Sequence, residues 1–289
     1  MNNHQKGLAL ALATFIMWGI FPIYFKSIEH VGALQVLSHR IIWSFFLLFL
    51  FLYFFKKLKN VKRLLKIKKV TLNLLLTGLL ISSNWGIYIY AVNLNHILEA
   101  SLGYFINPLF SILLGAIFLK EKLNLAAKIS IFIVFIAIFV QIYALGRLPF
   151  VSLILPFSFA LYGLIRKKLS VPSFEGLFIE TMLILPFALI FLTYLGLNGM
   201  SEFKPNLNGI LLFFSGLVTI LPLLTFTAST KFLPLSTIGF MQYISPSLSM
   251  MVAVFIYGEE LSLYKIISFA LIWTSLLIVA INGIKHERK

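Results

Sequence analysis

A chain of 289 residues that is 60% hydrophobic and only 11% charged cannot stay dispersed as a soluble domain, which carries about a quarter charged residues, so it is a membrane protein. The absence of cysteine excludes disulfides and thiolate metal sites. The net charge of +15 fits either nucleic acid or membrane topology, and the placement of the charges decides between them.

Apolar stretches near twenty residues, the length that crosses a bilayer, predict ten helices in chain order: 7–26, 34–55, 70–92, 97–119, 125–145, 148–166, 175–197, 208–230, 235–257 and 263–284. The first is too long in its apolar run for a signal peptide. With the N-terminus in the cytoplasm, the inside loops collect 19 of the 24 basic residues. Lys26, Arg147, Lys204 and Lys265 fall outside, and Arg40 lies within a span. Positive charge inside puts both termini in the cytoplasm. The densest loop, KKLKNVKRLLKIKK from Lys56 to Lys69, has eight basic residues and no acid. A topology signal resting on anionic headgroups accounts for it, and an anionic-lipid or nucleic-acid patch is the sharper alternative. The reading adopted has membrane lipids and no nucleic acid as partners.

Sliding the chain over itself by 138 residues pairs Phe21 with Phe159, Tyr24 with Tyr162, Gly78 with Gly216, Leu79 with Leu217, Pro108 with Pro246, Ser111 with Ser249, Glu121 with Glu259 and Leu123 with Leu261. One register over matching helices predicts two copies of a five-helix unit, residues 1–146 and 147–289. Five crossings are an odd number, so the second copy enters the membrane from the opposite side. The expected fold is therefore an all-α polytopic membrane protein of ten transmembrane helices, arranged as two inverted five-helix repeats. Inverted repeats belong to secondary transporters, in which exchanging the conformations of the halves turns an inward-facing state outward.

Pro108 and Pro246 fall near the middle of their spans. Each removes a backbone hydrogen bond, and helix breaks are expected at both. Buried charges are costly in a bilayer and mark gating or coupling groups or fixed ion pairs. Arg40 and Glu180 are those charges, and with Glu99 they are the expected gating or coupling residues. Arg40 is expected to meet Glu99 at the outer level, and Glu180 to meet Arg166 or Lys231 at the inner level. Polar and aromatic stripes supply candidate substrate contacts: Trp18, Tyr24, Asn84, Trp85, Tyr88, Tyr104, Asn107, Gln242 and Tyr243. Interhelical hydrogen bonding is the competing account for any one of them. Ser111 with Gly115, and Ser249 with Ala253, read as close-packing faces.

The strings MWGIFPIYFK (Met17 to Lys26), LSHRIIWS (Leu37 to Ser44), SSNWGIYIYAVN (Ser82 to Asn93), EASLGYFINPL (Glu99 to Leu109), FALYGLIRK (Phe159 to Lys167), GLFIETMLILP (Gly176 to Pro186) and MQYISPSL (Met241 to Leu248) resemble RarD-type permeases of the EamA branch of the drug/metabolite transporter superfamily. The resemblance spans both halves; Tyr90, where the family usually has Trp, is a small departure. It implies a multi-pass protein of the bacterial inner membrane with a central cavity, and it names no single substrate.

Other classes lack their chemistry. No G-x-x-x-x-G-K-[ST] loop is present for a nucleotide-driven pump. The chain contains no Asp, and its histidines at 4, 30, 39, 96 and 286 show no metal-ligand spacing. No enzyme, metal or cofactor is expected. The expected function is a secondary transporter that exports a small organic metabolite or drug by alternating access. A passive channel or facilitator for small solutes is the alternative, and the sequence leaves a homodimer open.

Overall fold

The computed structural model describes residues 2–93, 97–146, 151–258 and 262–287, with side chains outside 89–102, 145, 152 and 283–287. These residues form thirteen helices: α1 (Asn3–Gly19), α2 (Phe21–Ser27), α3 (Ala33–Phe54), α4 (Leu58–Leu65), α5 (Lys68–Asn93), α6 (Ile97–Phe118), α7 (Leu125–Leu145), α8 (Val151–Lys168), α9 (Ser173–Leu197), α10 (Leu207–Ser229), α11 (Leu235–Met241), α12 (Ile244–Phe255) and α13 (Leu263–Glu287). No strand occurs among the described residues. An apolar chain in hydrocarbon must bond its backbone internally, and helices do so within one segment. Eight stretches among the described residues are long and apolar enough to cross a membrane: Asn3–Ser27, Ala33–Phe54, Lys68–Tyr88, Leu125–Ala144, Ser173–Leu197, Leu207–Ser229, Leu235–Phe255 and Leu263–Asn282. Gly103–Phe118 adds a shorter apolar helix.

Helix ends carry their own signals. Asn124 starts α7, its side chain accepting from the Ala127 N–H at 2.8 Å, and Gly146 at φ 74° closes it in the left-handed conformation that glycine favours. Ser262 starts α13, accepting from the Lys265 N–H at 3.3 Å. At the end of α3, Lys56 takes the left-handed conformation (φ 56°). Bonds from Lys57 N–H to Leu52 O (2.8 Å) and from Lys56 N–H to Tyr53 O (3.0 Å) complete a Schellman turn there. The basic loop that follows contains the short amphipathic helix α4, whose Val61 and Leu64 are buried while Lys59, Lys62 and Arg63 face out.

The chain forms two compact units, and each draws helices from both halves of the sequence. The first comprises Met1–Thr14, Ile23–Ile89 and Ile165–Phe232, the second Phe15–Pro22, Tyr90–Leu164 and Leu233–Lys289. In the first unit α3 packs against α9 and α10. Glycines set those approaches: a methyl on Gly216 would lie 2.6 Å from Trp43 Cβ, and one on Gly78 would lie 3.3 Å from Glu180 O. In the second unit α7 packs against α13 and α11 against α6. Ser130 Oγ donates to Ser275 O at 2.9 Å, and Ser268 Oγ donates to Ala137 O at 3.0 Å.

Two membrane-length stretches are broken. One breaks at Ile20, between α1 and α2, where Pro22 cannot continue the hydrogen-bond ladder. The other breaks at Gln242 and Tyr243, between α11 and α12, one turn before Pro246. There the backbone tightens into i→i+3 bonds, Tyr243 N–H to Phe240 O at 3.3 Å and Ser245 N–H to Gln242 O at 3.2 Å. The expected break at Pro108 is corrected: α6 runs through that residue without interruption. One proline deletes one bond of the ladder, and the flanking bonds are enough to keep the helix continuous.

Candidate functional site: buried charges and broken helices

In the first unit, Glu180 on α9 and Arg166 in the last turn of α8 form an ion pair at 3.4 Å, with side chains 2% and 0% exposed. Taking two charges out of water is costly, and hydrogen bonds to their other polar atoms offset part of that cost. Thr77 on α5 donates to Glu180 Oε1 at 2.6 Å, and Arg166 reaches Ser173 O at 3.5 Å. Gly176 makes the room. It lies one turn before Glu180 on the same face, and a methyl there would fall 2.1 Å from an Arg166 terminal nitrogen. Glu180 thus has one of the two partners expected for it, Arg166. The other, Lys231, follows α10 and caps α8 instead, donating to Arg166 O at 2.6 Å and to Leu169 O. Lys167 returns the contact by donating to Thr230 O at 3.0 Å, so each helix end is capped from the other. Burial first, then the neighbouring Arg166 and Lys167, push the Lys231 amine down to about 8.

A second buried charge in the same unit is Arg40 on α3, 6% exposed. Its Nε donates to Thr219 Oγ1 on α10 at 2.8 Å, and its guanidinium stacks 4.0 Å from the Trp85 ring and 5.5 Å from Phe25. Cation–π contact of this kind strengthens when desolvated. Tyr24 anchors beside it, its hydroxyl donating to Leu211 O at 2.8 Å. Trp85, Thr219, Ser82, Thr181 and Glu180 share a cavity of about 20 Å³. That is room for a water and far below the roughly 300–1,000 Å³ of a ligand pocket. Asn84 is buried and Tyr88 half-buried on α5. The side chain of Glu99, the partner expected for Arg40, lies outside the described residues.

In the second unit the two broken stretches meet. The α1 end leaves carbonyls without intrahelical donors, and Ser249 Oγ on α12 donates to one of them, Gly19 O, at 3.0 Å. Contact is close because residue 19 is glycine: a methyl there would lie 2.6 Å from Leu248 Cβ. Trp18 stands beside this junction, ring centroid 5.4 Å from Phe159. On the other broken stretch, buried Gln242 accepts from Ser111 Oγ of α6 at 3.1 Å. Half-buried Asn107, one turn earlier on α6, keeps its buried carbonyl oxygen without a donor among the described residues. Tyr104 is 44% exposed. Tyr243 is corrected from a substrate contact to a core residue: it is fully buried among Phe105, Val134, Phe269 and Ile272. Its place at the helix break turns it toward α7 and α13.

The glutamate that ends the α6 motif has a structural role. Glu121 accepts from the N–H groups of Leu235 (2.7 Å) and Ser236 (2.8 Å) and from Ser236 Oγ (2.7 Å). It is an acidic cap on the positive end of α11, supplied by the loop that follows α6. Thr77, Thr219, Gly176 and Pro22 went unread in the sequence. Gly176 was legible as a small residue one turn from a buried acid. Pro22 escaped because position 160, its partner at the 138-residue offset, is alanine.

Membrane-length helices with buried charges and interrupted backbones define a multi-pass membrane protein of the transporter class. The profile of the EamA-like transporter family matches the chain twice, over residues 5–143 and 149–281. Similar proteins include an uncharacterized transporter of Vibrio cholerae, 43% identical over 287 residues (98% of this chain, 95% of the relative). Protein RarD of Salmonella typhi is 44% identical over 288 residues (99% and 98%). A solved crystal structure shares the fold at a TM-score of 0.74 and 15% identity, covering 98% of this chain and 99% of its own. The chain belongs to the EamA-like transporter family, among its RarD-type permeases, and is a membrane transporter of the bacterial multi-pass kind.

Proposed function

We propose that the protein is a secondary transporter that exports a small organic metabolite or drug by alternating access between two inverted repeats, residues 1–146 and 147–289. The observation that carries this reading is the meeting of two helix breaks in the second unit, at Ile20 between α1 and α2 and at Gln242 and Tyr243 between α11 and α12, joined by the Ser249 to Gly19 bond. Discontinuous helices near the midplane are where secondary transporters bind their substrates, because freed backbone groups and nearby polar side chains can hold a solute that lipid cannot. Trp18, Asn107 and Gln242 are the side chains assigned to contact it. Arg40 and Glu180 are assigned to gating or coupling, Arg40 held on Thr219 and Trp85 and Glu180 on Arg166 and Thr77. Ten crossings with both termini in the cytoplasm, and no cofactor, complete the reading.

The test is a ligand screen of the purified protein by intrinsic fluorescence on heating, over amino acids, nucleobases, sugars, polyamines and antibiotics. A true ligand at about 100 times its dissociation constant stabilises the fold by about 2.7 kcal/mol. A chemically coherent set of hits, abolished by Asn107→Leu or Gln242→Leu, supports the site. Saturable counterflow of a hit in proteoliposomes then supports a carrier, whereas single-channel currents overturn alternating access in favour of a passive pore.

A further inference from the structure

The corner between α4 and α5 builds a cleft of about 290 Å³ lined by Leu65, Lys66, Lys68, Thr71, Leu72 and Leu75. The corner is tied from within, Thr71 Oγ1 donating to Leu65 O at 3.1 Å, so the cleft is preformed. Its two halves differ in chemistry. Lys66 and Lys68 are exposed at the rim, and among the described residues no carboxylate pairs with either. Below them Leu72 is 63% exposed, and the stripe continues down the same face of α5 through Leu76 and Leu79, each 44% exposed. At the end of α3, just before this corner in sequence, Tyr53, Phe54 and Phe55 are 60%, 72% and 62% exposed, the kind of aromatic girdle found at a membrane–water boundary.

We propose that this cleft binds an anionic phospholipid, its phosphate between Lys66 and Lys68 and an acyl chain along Leu72, Leu76 and Leu79. The charge of the rim selects an anion, and the apolar stripe selects one that carries a hydrocarbon tail. A free phosphate would use only the lysines. Topology agrees, since the run from Lys56 to Lys69 is the most basic segment of the chain and anionic lipids attract such segments at the cytoplasmic leaflet. The inference stands apart from the transport reading and needs only that α5 crosses the bilayer.

Native mass spectrometry of the full chain in detergent tests it with phosphatidylglycerol and phosphatidylcholine of identical chains. Two ammonium groups at the headgroup should make wild type retain the anionic lipid roughly thirtyfold better. The double variant K66Q/K68Q should erase that preference, while K59Q/K62Q on the outer face of α4 should keep it. Leu75→Trp, which fills the cleft without changing charge, should also lower retention. Equal loss from both lysine pairs would mean a diffuse surface field and overturn the site. Competition by soluble glycerol phosphate as effective as by the lipid would overturn the acyl-chain half. Should K66Q/K68Q not fold, wild type alone decides, because equal retention of the two lipids sinks the proposal.

Discussion

At the residue scale, the pair Arg166 and Glu180 is a cost unless complete. Both side chains are almost wholly buried, so removing one leaves an uncompensated charge, which costs about 3–5 kcal/mol. Arg166→Met or Glu180→Leu alone should therefore lower the melting temperature in detergent sharply, and the double variant should regain most of the loss. Gly176→Ala should destabilise about as much as Glu180→Leu, because its methyl takes the guanidinium's place. Additive single and double effects would show that the pair is not coupled. The sequence made this pair legible because an acid inside an apolar span demands a cation within reach. Thr77 and Gly176 were not legible, since a threonine and a glycine on membrane helices are ordinary packing residues until the fold shows what faces them. Arg40 was legible as a buried charge, but its stack on Trp85 and its bond to Thr219 bring together α3, α5 and α10, which no local pattern relates.

At the element scale, a proline permits a helix break without compelling it. The two matched prolines behave differently: α6 continues through Pro108, while α11 and α12 separate before Pro246. What distinguishes them lies outside the local pattern, in neighbours that sequence spacing cannot supply. Gly239 brings α11 against Pro108 O, and Ser249 on α12 spends its hydroxyl on Gly19. Between α6 and α11 the joint is Glu121, which bonds two backbone N–H groups and a hydroxyl at the start of α11. Hydrogen bonds to a charged group contribute about 1.5–3 kcal/mol each, and orphaned N–H groups add a penalty. Glu121→Ala should thus lower unfolding stability by about 2 kcal/mol or more, and Glu121→Gln by less, since an amide oxygen still accepts. Thermal melting of the two variants checks this ordering, and equal losses would assign the effect to charge alone.

At the scale of the whole molecule, the offset of 138 residues read from sequence identities recurs in the hydrogen bonds of the folded chain. Asn124 caps α7 through Ala127, and Ser262 caps α13 through Lys265; both members of the second pair lie 138 positions after those of the first. Ser130 bonds Ser275, and Ser268 bonds Ala137, so the offset turns each bond into the other with the helices exchanged. Exchange of partners is what a two-fold relation between repeats produces, and it supports the proposed inversion. The chain has no cysteine, so single labels need no background to be removed. With the N-terminus inside and five crossings per repeat, Asn124→Cys should react with a membrane-impermeant maleimide only from the cytoplasmic side. Ser262→Cys should react only from the opposite side. Each substitution removes an N-cap worth about 1 kcal/mol, a loss the fold should survive. Labelling of both positions from one side would mean that the matched helices run parallel, and alternating access by exchange of inverted halves would then have no structural basis.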